Sequence, residues 1–136
     1  MIHLIPTKDV DLIWTLSGIE ILDIDLKHDW LVIKEEYKLI GIFEINPLTK
    51  ISGLLHLNIL EEYQNQGIAI KAFNALIKYL KTTNYKQIIG SIPEKNKKIM
   101  SIVNKTKGKC CGSIKDGIIF NNELQDLLLF QLEVNS

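Results

Sequence analysis

Arginine is absent from the sequence: all 16 basic side chains are lysines, and 16 acidic side chains balance them. Lysine lacks the planar fork with which arginine recognises guanine and phosphate, and a chain without net charge creates no general field that attracts nucleic acid or an anionic membrane. Among the functions that we consider, nucleic-acid binding is therefore the least favoured.

Cysteine is also scarce. Cys110 and Cys111 are adjacent, which excludes a disulfide framework and the two-by-two spacing of a zinc site, so we expect reduced thiols and no metal.

No apolar stretch approaches the roughly 18 residues that span a bilayer, and the first residues do not have the pattern of a secretion signal. We expect one cytoplasmic domain over residues 1–136, without a membrane segment.

Hydrophobic periodicity predicts both helices and strands. A first helix begins near its cap Thr7 and ends at Gly18, a long helix follows Gly67, and another begins after Asn96. Strands are predicted over residues 30–34, 37–45, 52–60, 87–92, 113–120 and 126–134. Three main helices with a mixed sheet of about six or seven strands make an α/β fold. The aromatic residues predicted for its core are Trp14, Trp30 and Phe73.

The most informative segment leads from an apolar strand into a helix across Gln64–Ala69. N–H groups in the first turn of a helix lack intrahelical acceptors and, with the helix dipole, attract an anion. Gly67 has no side chain and Ala69 has only a methyl group, so a diphosphate can approach the backbone, while Gln64 or Asn65 can donate from the side. The alternative is a strand-to-helix turn that needs glycine for its geometry alone.

The spacing Gln64-x-x-Gly67-x-Ala69 after a strand resembles the acetyl-CoA diphosphate loop of the GCN5-related N-acetyltransferases (GNAT). The likeness continues through the Pro93–Asn96 turn before the next helix, and through the final strand. It implies a GNAT-like, mostly antiparallel sheet, acetyl-CoA as co-substrate and an amine as acceptor. The Ile92-Pro93-x-x-Asn96 turn, with His56 eight residues before Gln64, looks most like small acetyltransferase-like proteins of tailed bacteriophages.

The resemblance also implies which residues contact acetyl-CoA. The pantetheine arm is expected to lie along the strand before the loop as an additional strand would, so that its amides pair with the backbone. One of these strand N–H groups would face the thioester oxygen. The expected cofactor-binding residues are Leu57, Asn58, Ile59, Gln64, Asn65, Gln66, Gly67, Ile68, Ala69, Ile70 and Asn96.

Candidates for the chemical step begin with His56 and Asn58, which share one face of their strand. His56 could accept the proton of an acceptor ammonium directly or through water; the alternative is a partly buried histidine bonded to a neighbouring strand. Glu61 and Ser91 are further candidates, and their ordinary roles are a solvated carboxylate and a strand-end hydroxyl. Many relatives have a tyrosine general acid where this chain has Val103, and some have a glutamate where it has Ser91.

These observations predict an N-acetyltransferase in which the amine of a protein terminus, a lysine or a small molecule attacks acetyl-CoA directly in a ternary complex. The alternative is a phage or phage-derived protein that keeps the GNAT fold for binding or assembly without turnover. A lysine group between residues 86 and 109 could hold the CoA 3′-phosphate or a nucleic acid, or form a solvated helix face. Association into a homodimer also stays open.

Overall fold

A computed structural model, which describes residues 1–135, contains one mixed sheet of seven strands with three α-helices. Its elements are β1 (Ile2–Pro6), α1 (Val10–Ser17), β2 (Asp29–Glu35), β3 (Lys38–Pro47), β4 (Ser52–Ile59), α2 (Ile68–Leu80), β5 (Gln87–Pro93), α3 (Lys97–Lys105), β6 (Lys109–Phe120) and β7 (Glu123–Glu133). The strand order is β1-β2-β3-β4-β5-β7-β6, and every neighbouring pair is antiparallel except β4 with β5. The predicted fold class is confirmed.

Both faces of the central strands are buried, which is why β2 contains the continuous apolar run Trp30–Ile33. One face packs against α2, where Phe43 meets Phe73 edge to face with ring centroids 5.7 Å apart. The other face packs against α1 through Ile13, Leu16, Trp30, Val32 and Ile42. Helices α1 and α2 therefore cover the sheet from opposite sides.

Several local predictions were wrong. Strand β1 was not predicted because it is a short edge strand with only partial burial, so its hydrophobic pattern is weak. The cap of α1 is Asp9 rather than Thr7, since the Asp9 carboxylate accepts from the N–H groups of Asp11 and Leu12. Trp14 is 47% exposed rather than a core residue, because α1 turns Ile13 and Leu16 toward the sheet.

The hairpin of β6 and β7 is longer than predicted. Its strands begin at Lys109 and Glu123, earlier than predicted, because residues 109–112 and 123–125 extend the strands without an alternating apolar pattern.

Within residues 1–135, no helix has both the length and the apolar character needed to cross a membrane.

The sheet divides at its centre. Parallel pairing between β4 and β5 covers only Ser52–Leu54 and Gln87–Ile89, after which the two strands separate. Beyond this point β4 still pairs with β3 as far as Ile59, and β5 still pairs with β7 as far as Pro93. The resulting gap between residues 55–59 and 90–93, which we call the notch, leaves backbone groups on its two sides outside the sheet ladder.

Candidate acetyl-CoA and acceptor site

Two adjoining cavities follow the notch. The first, of about 240 Å³, is bordered by β4, β5 and α3, and His56 and Ser91 contribute to its lining. The second, of about 780 Å³, lies in front of α2 and is lined by β4, the Gln64–Ala69 loop and the start of α3. Leu57 and Asn96 line both cavities. The notch therefore forms one continuous groove that ends at α2.

The N-terminus of α2 differs from the other two in the described part of the chain. Asp9 caps α1, and the Asn96 side chain caps α3 by accepting from Ile99, whereas no side chain caps α2. The first turn of α2, like that of α3, contains no acidic residue. Its N-cap, Gly67, has φ +73°, a left-handed conformation that favours glycine. A Cβ atom there would meet no atom within 4 Å. The first amides of α2 therefore lie beside open space.

Side chains of the loop mainly brace the loop itself. The Gln64 amide donates to the Ile59 carbonyl at 2.9 Å, and the Gln66 amide donates to the Glu62 carbonyl at 3.1 Å. Asn65, at φ +63°, accepts from the Lys98 ammonium at 2.5 Å. Their predicted contacts with acetyl-CoA stay predictions.

Lysines of α3 add positive charge to the larger cavity. Lys97 and Lys98 both line it, together with the first turn of α2. Because a helix N-terminus and an ammonium group both favour negative charge, this end of the groove suits a phosphate or diphosphate.

The four predicted catalytic residues do not all lie at one place in the groove. His56 is 57% exposed and lines the first cavity with Ser91. The Asn58 amide donates to the Leu16 carbonyl at 2.6 Å, which ties β4 to the end of α1. Glu61 is exposed in a short 3-10 helix, Glu61–Tyr63, and lines neither cavity of the groove. Val103 presents an apolar side chain to the first cavity.

Sequence reasoning missed two residues near His56. Glu44 of β3 is the cross-strand partner of His56, and its Oε1 lies 3.4 Å from His56 Nδ1. His28 donates from Nδ1 to the other oxygen of Glu44 at 2.6 Å. A lone carboxylate within the apolar run Ile42–Ile45 was the available signal, but its partner depends on a strand register that the sequence does not supply.

Comparison with known proteins agrees with this architecture. The family model "Acetyltransferase (GNAT) family" matches residues 6–99. No curated protein matches the chain.

Solved structures resemble the chain over nearly its whole length, and two of them serve as examples. A GNAT family acetyltransferase from Elizabethkingia anophelis, with acetyl-CoA bound, superposes with TM-score 0.78 at 19% identity, over 97% of each chain. Mutant forms of the Vibrio cholerae spermidine/spermine N-acetyltransferase SpeG superpose with TM-score 0.83 at 16% identity, over 98% of this chain and 95% of that chain. At these identities the likeness shows the fold alone.

Proposed function

Because the chain belongs to the acetyltransferase (GNAT) family, we propose that it transfers an acetyl group from acetyl-CoA to an amine. The observation that carries the proposal is the uncapped N-terminus of α2, which lies beside a cavity of about 780 Å³ at the end of the notch. An anion placed there gains backbone donors and the helix dipole without displacing a side-chain cap.

The residues present fit acetyl-CoA along the whole groove. The open space at Gly67 admits a diphosphate to the amides of Ile68, Ala69 and Ile70, and Lys98 lines the same cavity. The backbone of Leu57–Ile59 has no ladder partner on its notch side, and its notch-side groups other than the Ile59 carbonyl, which accepts from Gln64, can pair with the pantetheine amides. Asn96 borders both cavities and so lies where the two parts of the co-substrate would join.

His56 is the proposed proton acceptor. Acetyl-CoA supplies the acetyl group as a thioester, so a C–N bond forms to the amine while the C–S bond breaks and CoA leaves as a thiol. The imidazole takes one proton from the acceptor ammonium and releases it to water, and the second nitrogen proton goes to the sulfur. A backbone N–H of the notch is the proposed donor to the thioester oxygen.

Other predicted catalytic residues receive lesser roles. Ser91 lies on the opposite side of the first cavity from β4, where its hydroxyl could hold a water molecule or the acceptor. The bond from Asn58 to the Leu16 carbonyl supports a structural role for that amide. Glu61 lies outside the groove linings, so we propose no proton transfer through it.

Isothermal titration calorimetry with acetyl-CoA, followed by a thiol-release assay, tests the proposal. The acceptor panel should contain a peptide N-terminus, a lysine peptide and small amines, including spermidine because the Vibrio cholerae protein is a spermidine/spermine N-acetyltransferase. We expect binding, turnover of at least one acceptor, and a loss of about a hundredfold or more in turnover for His56→Ala with binding retained. Absence of acetyl-CoA binding would refute the proposed function.

One observation favours a second candidate function. Val103 cannot protonate a leaving thiolate, although a thiol of ordinary pKa about 8–9 leaves without much help. Firm acetyl-CoA binding with no turnover of any acceptor would support the alternative, a GNAT-fold binding or assembly protein of phage or phage-derived type.

A further inference from the structure

We propose that Glu44 is a positioning residue that orients His56 for proton transfer, and that His28 in turn holds Glu44. This inference rests on the proposed function, because it concerns the histidine to which that function assigns the acceptor's proton. No feature of the Gln64–Ala69 loop enters the inference.

The sheet register places Glu44 at the centre of this group. Glu44 is directly opposite Trp30 of β2 on one side and His56 of β4 on the other. Its side chain is only 14% exposed and shares a sheet face with the apolar residues that pack on α1. A carboxylate in such surroundings requires hydrogen-bond donors. His28 supplies one to Oε2 at 2.6 Å, and His56 Nδ1 lies 3.4 Å from Oε1, within ion-pair distance.

His28 is held firmly enough to fix Glu44. Its Nδ1 lies 2.6 Å from Glu44 Oε2, and its Nε2 lies 3.4 Å from Asp25 Oδ2. The turn that contains both residues is tied to its neighbours, since Trp30 Nε1 donates to the Asp25 carbonyl at 2.9 Å and Lys8 Nζ donates to the His28 carbonyl at 2.9 Å. Glu44 Oε2 is therefore occupied, and Oε1 is left for His56.

This arrangement selects one form of the His56 ring. An ionised carboxylate can only accept, so the Nδ1 that faces Glu44 is the nitrogen that carries hydrogen. Nε2 then carries the lone pair, and the exposed side chain makes that atom accessible to an acceptor. At 3.4 Å the two atoms are within ion-pair distance, and a small rotation of the exposed ring completes the hydrogen bond; catalytic hydrogen bonds are often long or poorly aligned until substrate binds.

The proton step follows from that tautomer. The N–H bond of the acceptor ammonium breaks, its electron pair stays on nitrogen, and Nε2 receives the proton. Glu44 then faces an imidazolium, which its negative charge stabilises. Within residues 1–135, Glu44 on β3 is the ion-pair partner of His56 within 4.0 Å, and Glu44 in turn contacts His28, which contacts Asp25. Ser91 of β5 contributes a neutral hydroxyl to the cavity that His56 lines.

A spectroscopic experiment tests the tautomer without requiring turnover. Long-range ¹H–¹⁵N correlation spectra of ¹⁵N-labelled protein, recorded at alkaline pH where imidazole rings are neutral, distinguish Nδ1–H from Nε2–H. The His56 signals are identified by their loss in His56→Gln. We expect the Nδ1–H form for His56 in the parent and in the control Glu35→Gln at the far end of β2, and loss of that preference in Glu44→Gln. Retention of the same tautomer in Glu44→Gln would overturn the proposal.

Kinetics test the consequence for the reaction. With the acceptor found in the panel, we expect Glu44→Gln to lower kcat by about tenfold or more, which is part of the roughly 10²–10⁴-fold that a general base supplies. The pH profile of kcat should also change. The KM for acetyl-CoA should not change, and Glu44→Asp should recover part of kcat because it restores the charge. An unchanged kcat and pH profile would overturn the proposal.

The two proposals fail in different ways. A parent protein that does not bind acetyl-CoA refutes the proposed function, whereas a parent that binds and turns over while Glu44→Gln matches it refutes only the role of Glu44. Thermal unfolding checks that Glu44→Gln is folded. If it is not, the same tautomer measurement is made on His28→Gln, which removes the hydrogen bond that supports Glu44 but leaves the Glu44 carboxylate in place. We then expect a weakened Nδ1–H preference for His56. An unchanged preference would count against the proposal.

Discussion

Substitution of Ala69 by glutamate should change stability and acetyl-CoA binding in opposite directions. Ala69 is the second residue of α2, is half-buried, and lines the larger cavity. A carboxylate in the first turn of a helix interacts favourably with the dipole and the free amides, typically by about 0.3–1 kcal/mol. We therefore expect Ala69→Glu to unfold about 1–4 °C higher than the parent when no ligand is present.

The same carboxylate should weaken binding because it occupies the place proposed for the diphosphate. Two unit charges about 4 Å apart repel by about 1 kcal/mol in water and about 4 kcal/mol at the effective dielectric of a protein surface. Since about 1.4 kcal/mol is tenfold in affinity, the Kd for acetyl-CoA should rise by roughly fivefold to several hundredfold. Part of that loss should disappear in high salt, which screens exposed charges.

Calorimetry at low and high salt, together with thermal unfolding, measures both effects. Ala69→Gln is the matched control, because it has nearly the same volume without the charge and so separates steric from electrostatic interference. Stable, folded Ala69→Glu that binds acetyl-CoA as tightly as the parent would refute the placement of the diphosphate at α2. If Ala69→Gln loses as much affinity for acetyl-CoA as Ala69→Glu, the volume of the side chain, not its charge, is responsible.

Three further substitutions test other parts of the structure. Lys98→Ala should weaken acetyl-CoA binding by up to about tenfold at low salt and less at high salt, measured by calorimetry, because it removes a cation that lines the larger cavity. Leu76→Ala should lower the free energy of unfolding by about 2–5 kcal/mol in urea, because the side chain is completely buried against the sheet. Burial and then the hydrogen bond to Asp29 raise the pKa of Tyr85 above its ordinary 10.0, so stability present below pH 10 should be lost as the pH rises further. Tyr85→Phe should reduce that loss in unfolding measured between pH 9 and 11.

The parts of the fold with strong periodic patterns could be predicted from the sequence. Helix α2 and the central strands carry long apolar patterns, and the loop before α2 lies where the Gln64–Ala69 spacing predicts it. Trp14 shows the limit of that reasoning. Periodicity assigned it to the core, but a helix of eight residues buries only a narrow stripe, here Ile13 and Leu16.

The site was predictable only where its residues are close in sequence. Asn58 looked like an active-site residue from its alternation with His56, yet its amide is engaged by the carbonyl of Leu16, 42 residues away. Glu44 and His28 were not predicted because their relation to His56 depends on the pairing of β3 with β4 and on the turn before β2. Such contacts are set by tertiary structure, and no local pattern reports them.

The division between β4 and β5 has a consequence for how the chain behaves in concentrated solution. Strand edges with free N–H and C=O groups ordinarily lie at the border of a sheet, where they act as templates for other extended peptides. Here two such edges lie in the middle of the molecule, beyond Leu54 and Ile89. A compound whose amides pair along the gap would therefore cover both of these interior edges at once.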